Sequence, residues 1–364
     1  MNAALLRTAC YDWHVAHGGK MVDFAGWEMP VQYTSIVAEH QAVRQAMGLF
    51  DVAHMGRLKF TGADAGKFLD QIVTNDILAL EEGQVCYALI ANQQGGVLDD
   101  VLVYRLPDFY LMVVNASNRA KIVNWVTDQR GGFRFEVEDL TVARFMLALQ
   151  GPRAQHLLQP LVDFDLSSLN HHRAAIARVM GQPGLVSRTG YTGEDGFEVI
   201  VDQAGAPRLW TALADHGADD GLLPAGLGCR DTLRLEAGMP LYGHELDESI
   251  DPFTAGLGFA VKLDSGDFIG RDALRAAREN ANRQRRVGLV FSGKRIAREG
   301  AGVLSAGAAV GRVTSGGFSP TLNHPIAMAY VAPTVATAGT VVEVDIRGKS
   351  ESAQVVRLPF YRRT

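Results

Sequence analysis

The chain has 364 residues, a formal net charge of −5 at pH 7, 47% hydrophobic and 21% charged residues, the composition of an ordinary globular enzyme. One hydrophobic core does not serve a chain of this length, so two or three domains are expected. The acidic balance supplies no basic field for holding a nucleic-acid backbone, which disfavours that class of partner.

Cys10, Cys86 and Cys229 are odd in number and far apart. They give neither a disulfide framework nor a metal spacing, and they suit a reducing compartment. The start, Met1 to Thr8, carries neither the apolar run of a signal peptide nor an Arg/Ser-rich transit segment. No apolar stretch is long enough to span a bilayer. A cytoplasmic protein with no membrane partner is expected.

In chain order, residues 34–47 read as a helix capped by Ser35, with Ile36, His40, Val43 and Met47 on one face and Gly48 placed to stop it. Leu58 and Phe60 alternate as a strand, and 64–73 carry a helical stripe of Phe68, Leu69 and Ile72. Residues 86–91 and 98–105 form strands about a turn at Asn92 to Gly96. Another strand spans 110–115, and Ser117 or Asn118 caps a helix through Ile122, Trp125 and Val126. Residues 143–149 are a continuous apolar run, as a buried strand requires. Gly151-Pro152 is expected to open a helix, as is Pro207, whose helix carries Leu209, Trp210 and Leu213 and closes near Gly217. The polar stretch 280–286 marks the main boundary. Beyond it, short strands at 287–291, 311–314, 327–331 and 341–346 read as a small β-barrel or jelly roll. The fold class is α+β, with no internal repeat.

Three constellations can carry chemistry. Gly95 to Asp100 leads into the apolar run Val101 to Tyr104. Strand alternation sends Asp99 and Asp100 to opposite sides. Two solvated turn aspartates would give the same pattern; a carboxylate at the mouth of a buried strand would instead meet a cationic intermediate. In Ser187 to Glu198, three glycines in seven residues allow close backbone approach to a ligand, and Tyr191 offers an aromatic face. Glu198, opening the strand 197–201, can present two oxygens to the paired N–H donors of a pterin-like edge, or it is an exposed hairpin glutamate. Gly226 to Gly238 reads as a helix whose Arg230-Asp231 pair, taken alone, suits an internal brace better than a catalytic pair.

Other schemes fail on spacing. His171-His172 would face opposite ways on a strand, and no i, i+3 or i, i+4 partner supports a metal. His14, His17 and His54 are dispersed, as structural or surface groups are. Cys86 and Cys229 sit in contexts that suit inert packing. Gly226-Leu227-Gly228 lacks a third glycine and a preceding parallel strand, so no nucleotide cofactor is expected.

Together the segments resemble the T-protein family of glycine cleavage aminomethyltransferases over nearly the whole chain. The resemblance rests on Lys20 to Pro30, Gly48 to Gly56, Thr74-Asn75-Asp76, Gly95 to Asp100, Gly190 to Glu198 and Arg230 to Gly238. It continues through Ser292 to Arg298, Thr314-Ser315-Gly316 and Pro359 to Arg362.

The resemblance implies three domains about a central folate cavity: a discontinuous α+β domain of 1–54 and 140–280, a ferredoxin-like domain of 55–139 and a C-terminal β-barrel of 281–364. It implies tetrahydrofolate as co-substrate, with neither metal nor nucleotide. The aminomethyl donor it implies is the lipoylated carrier of the glycine cleavage system, the H-protein. Asp100 matches the family's catalytic aspartate, Glu198 its pterin-binding glutamate and Arg230 its folate-site arginine. Tyr87, Tyr104, Asn115, Tyr191 and the Met55 backbone match further folate-pocket positions, and Arg362 a C-terminal contact.

Ala9-Cys10, His171-His172 and His244-Glu245 depart from the family pattern; the histidine pair stands where relatives often carry tyrosines near the folate. Two rivals share the scaffold. One is a folate-dependent demethylase of a small methyl donor. The other is a non-enzymatic folate-binding protein, whose Lys-Gly-Cys-Tyr signature is absent around Cys86-Tyr87 and Cys229-Arg230. A severed flavin-oxidase domain would need a dinucleotide fingerprint, which is also missing.

Overall fold

The computed structural model describes residues 4–363. The chain groups into two compact units: Met1–Leu69 with Ile77–Tyr87 and Val101–Asp231, and Asp70–Asp76 with Ala88–Asp100 and Thr232–Thr364. Helices and strands are mixed in the first unit, as the α+β reading expects. No helix among the described residues is long and apolar enough to cross a membrane.

The first unit is built on a six-stranded sheet in the order Ala174–Val179, Gln182–Ser187, Gly196–Asp202, Arg144–Gln150, Met47–Asp51, Leu222–Pro224. Arg144–Gln150 is buried at every position after the first. A strand covered on both faces needs no polar alternation, which explains the unbroken apolar run. Phe145, Leu147 and Leu149 share one core with Phe197, Val199, Val201 and the helix residues Leu209, Trp210 and Leu213. Each such side chain contributes roughly 1.5–3 kcal/mol on burial. Their helix, Ala206–Gly217, has proline in its first turn as expected.

Helix Ile36–Gln45 begins on Ser35, whose Oγ accepts from the Ala38 amide at 3.1 Å. It ends before Gly48, because the strand Met47–Asp51 starts at once and holds Gly48 inside the sheet. Gly151-Pro152 forms a turn with Gly151 at φ +134°, so the helix Ala154–Leu158 starts later than expected. Asn118 ends a short 3-10 turn, and Arg119–Asp128 follows without a side-chain cap. His171 and His172 lie in a turn, not a strand. His172 has φ +57°, and the two rings meet edge-on with centroids 4.6 Å apart, so alternation does not apply to them.

A second sheet runs Val85–Ala91, Val97–Arg105, Tyr110–Val114, Gly56–Thr61, Glu136–Asp139, with helices Ala65–Ile72 and Arg119–Asp128 between its strands in sequence. This is the expected ferredoxin-like pattern with one added hairpin strand. A three-stranded sheet of Leu6–Arg7, Trp27–Pro30 and Met21–Phe24 has no counterpart in the sequence reading.

The second unit ends in a closed six-stranded barrel, Arg285–Phe291, His324–Val331, Ala308–Ser319, Gly302–Ser305, Val341–Asp345, Ser350–Val356. Val287, Leu289 and Phe291, with Val342 and Val344, Ala353 and Val355, recur every second residue and fill its interior. Beside it, Arg234 and Glu245 form a buried ion pair at 3.0 Å. The Tyr361 amide donates to the Glu236 carbonyl at 2.9 Å, tethering the segment that carries Arg362.

Candidate functional site

Glu198 is the third residue of Gly196–Asp202 and pairs in register with Ala148 on one side and Ser187 on the other. It is buried, 5% exposed, in the interior of the sheet, which removes the exposed-hairpin reading. The Thr189 hydroxyl donates to its Oε2 and lies 2.8 Å from the Ser187 hydroxyl. Burial pushes the Glu198 carboxyl above the usual range, opposed by that hydrogen bond and by the Arg230 charge.

Arg230 sits on helix Leu227–Glu236. The start of that helix is fixed by a buried carboxylate: Glu39 Oε2 accepts from the Gly226 amide at 2.9 Å, while its Oε1 accepts from the Tyr33 and Thr34 amides at 2.6 and 3.2 Å. The Gly228 amide donates to the Val31 carbonyl at 2.9 Å, and a Cβ at Gly226 would stand 2.4 Å from Val31 backbone. These glycines thus admit the neighbouring chain.

The Arg230 guanidinium lies over the Tyr191 ring, 4.6 Å from its centroid. Its Nη2 is 3.8 Å from the Met55 sulfur, a weak acceptor. Burial lowers its pKa, opposed by Tyr191 and Glu198. An arginine with five donors and such soft company is ready to bind a ligand acceptor.

Tyr104 is fully buried, with its hydroxyl beside those of Ser187 and Thr189. Burial, then the Glu198 charge, raises its pKa, opposed by the Ser187 and Thr189 hydroxyls.

Met55 lies in a tight segment after Met47–Asp51. Arg57, fully buried, clamps it: Nη1 donates to the Met55 carbonyl at 2.6 Å, and Nη2 to the carbonyls of Ala53 at 3.0 Å, Arg144 at 2.9 Å and Thr141. Burial lowers the Arg57 guanidinium to about 10. Asp51 Oδ1 accepts from the Ala53 amide at 2.9 Å; His14 Nε2 lies 2.9 Å from Asp51 Oδ2, and its Nδ1 2.9 Å from the Tyr33 hydroxyl. His54 is buried with Nδ1 unpartnered among the described residues. Burial, reinforced by Arg230, lowers its pKa to about 3, against the pull of Asp51.

The structure therefore gathers Glu198, Arg230, Tyr191, Tyr104 and Met55 within the first unit. Tyr87 and Asn115 are half-buried in the same unit, in Val85–Ala91 and just after Tyr110–Val114. Asp100 and Arg362 belong to the second unit, half-buried and exposed respectively. Asp99 is fully buried, so the pair is not two solvated turn aspartates. The supporting groups Glu39, Arg57 and Thr189 escaped the sequence reading, since nothing in their local pattern distinguishes them from surface residues.

Fold and site define an α+β protein with a C-terminal six-stranded barrel and a buried carboxylate–guanidinium–tyrosine site suited to a flat, nitrogen-rich heterocycle. Residues 10–265 match the family described as GCVT N-terminal domain, and 284–362 the glycine cleavage T-protein C-terminal barrel domain. The aminomethyltransferase of Moorella thermoacetica is 49% identical over 362 residues, covering 99% of each chain. That of Saccharopolyspora erythraea is 48% identical over 360 residues, covering 98% of each. The crystal structure of glycine cleavage system aminomethyltransferase T from Bartonella henselae matches with a TM-score of 0.92 at 33% identity, covering 98% of each chain. The chain belongs to the aminomethyltransferase family, the T-proteins of glycine cleavage.

Proposed function

We propose that this aminomethyltransferase transfers the carbon of an S-aminomethyldihydrolipoyl group, borne by the lipoylated H-protein, to tetrahydrofolate. The carbon exchanges its bonds to sulfur and nitrogen for bonds to N5 and N10 of the folate. The two folate N–H protons leave with the thiol and with ammonia, so 5,10-methylene-tetrahydrofolate forms without redox change.

The observation that carries the reading is the buried Glu198 carboxylate, with Arg230 stacked on Tyr191 and charge-coupled to it. A buried carboxylate matches the paired donors of a pterin edge, and the guanidinium matches its acceptors. Tyr104 brings a buried hydroxyl beside those of Ser187 and Thr189, a polar cluster next to Glu198 that a ligand edge can join. Tyr191 supplies a flat face. The Met55 carbonyl, already held by Arg57, has a second lone pair for a ligand N–H.

Tyr87, Asn115 and Arg362 are assigned to the folate by the same family resemblance. Asp100 is assigned to the reacting carbon: as the C–N bond weakens, positive charge develops there, and a fixed carboxylate stabilises it without reorganising. The domain division at 54/55, 139/140 and 280/281 and a cytoplasmic setting are part of the same proposal.

The test measures methylene-tetrahydrofolate from carrier-bound aminomethyl groups, from free aminomethyl-dihydrolipoamide, from dimethylglycine and from a sulfonium methyl donor. A docked arm reacts from a high effective concentration, so the carrier-bound donor is expected to be far more efficient. Turnover of a methyl donor with none from the carrier-bound group would reassign the protein as a demethylase.

A further inference from the structure

Gln150, at the end of Arg144–Gln150, is 1% exposed, and its side-chain amide reaches out of the sheet into the 189–196 loop. Its Nε2 donates to the Thr189 carbonyl and its Oε1 accepts from the Thr192 hydroxyl, both at 3.0 Å. The amide orientation is fixed, because the Thr189 carbonyl can only accept. Thr192 Oγ1 in turn accepts from the Glu194 amide at 3.2 Å.

One of the three loop glycines, Gly190, makes room for this amide, and a second, Gly196, for the backbone of Leu149 as well as for the amide. A Cβ at Gly190 would fall 1.9 Å from Gln150 Oε1, and one at Gly196 would fall 2.5 Å from the Leu149 carbonyl oxygen and 2.7 Å from Gln150 Nε2. The sequence reading gave the loop glycines to a ligand; Gly190 admits the Gln150 side chain.

One amide thus grips the chain on both sides of Tyr191. On one side is Thr189, whose hydroxyl donates to Glu198; on the other is Thr192. We propose that Gln150 is a positioning residue for folate recognition: it fixes the loop so that Tyr191 stacks on Arg230 while Thr189 orients Glu198. The role needs one donor and one acceptor at opposite ends of a planar group, which only an amide or a neutral carboxylic acid supplies at this size. It rests on the folate reading above and extends it to a residue that need not touch the ligand.

Gln150→Glu separates this role from simple packing. When protonated, the new side chain donates to the Thr189 carbonyl and accepts from Thr192, as the amide does. When ionised, it turns an oxygen with a negative charge toward that carbonyl, and the loop is pushed away. Burial and the facing carbonyl raise the new carboxyl's pKa, so the change falls between mild acid and mild alkali.

Tetrahydrofolate binding is measured by calorimetry at pH 5.5, 7 and 8.5 for the wild-type enzyme, Gln150→Glu and Gln150→Met. The ratio of variant to wild-type Kd is used, so that titration of Glu198 cancels. For Gln150→Glu the ratio is expected near one at pH 5.5 and about tenfold or more at pH 8.5. Gln150→Met, with neither donor nor acceptor, is expected to bind about tenfold more weakly at every pH. It should raise KM for tetrahydrofolate while leaving kcat at saturation nearly unchanged. A Gln150→Glu ratio independent of pH, or a Gln150→Met enzyme with lowered Tm but wild-type Kd, overturns the proposal. Absence of tetrahydrofolate binding by the wild-type enzyme would instead overturn the folate reading itself. If Gln150→Glu does not fold, Gln150→Met alone decides.

Discussion

Replacing His54 with glutamine should remove much of the enzyme's loss of stability in mild acid. In the folded protein burial holds the His54 pKa at about 3, against 6.5 for the free side chain. Between those values the unfolded chain binds a proton at this position and the folded chain does not. Stability therefore rises with pH across that window and is lost as pH falls below 6.5. Each unit within the window is worth about 1.4 kcal/mol, so lowering pH from 7 to 5 costs about 2 kcal/mol through this residue alone. His54 is only 3% exposed, so solvent screening does little to reduce that figure. The assay is urea unfolding of both proteins at pH 7 and pH 5, followed by a probe in the first unit. The wild type should lose about 2 kcal/mol more than His54→Gln between the two conditions. All other titrating groups are common to both proteins and cancel in the difference. Equal acid sensitivity would refute the argument that His54 is held neutral and buried.

Glu198→Gln places a donor against the donors of the pterin edge and should weaken tetrahydrofolate binding by roughly 1–3 kcal/mol, read by calorimetry; unchanged affinity would remove Glu198 from the site. Because burial raises the Glu198 pKa, wild-type affinity should fall as pH drops through that raised value, and a pH-independent Kd would contradict an ionised ligand-binding carboxylate. Asp100→Asn should lower kcat about a hundredfold or more with little change in folate binding, measured in the carrier-dependent assay. Asp99→Asn alters a fully buried carboxylate and should lower Tm with kcat nearly retained; the reverse ranking of the two variants would put the catalytic group on the other side of the strand.

Much of the architecture was legible because it follows from local rules. Ser35 before an apolar stripe, Pro207 opening a helix and the alternating apolar residues of the barrel strands each declare their element in a few residues. The errors came where tertiary packing overrides local signals. Gly48 looks like a helix stop but lies in a strand, because the sheet claims the chain one residue earlier. His171-His172 cannot be read by alternation, because His172 takes a left-handed turn conformation.

The site divides in the same way. Glu198, Tyr191 and Arg230 stand in glycine-marked motifs, and the family resemblance picks them out. Glu39, Arg57 and Gln150 act on residues up to 187 positions away in sequence, and such partnerships leave no local trace. The meaning of Gly190 was partly legible: close approach was expected there, and the Gln150 side chain makes it.

The barrel's closure has a consequence for how the chain reaches its native state. Its first strand, Arg285–Phe291, pairs with its last, Ser350–Val356, in the register Gly288 to Val356 and Phe291 to Ala353. Until the last strand is available, both flanking strands present unpaired backbone edges to any passing chain. A truncation or frameshift inside Ser350–Val356 removes only the end of the chain, yet it converts an edgeless barrel into an open sheet with a template for intermolecular pairing at each side. Loss of those final residues should thus express itself as aggregation during synthesis, rather than as a weakened but soluble enzyme.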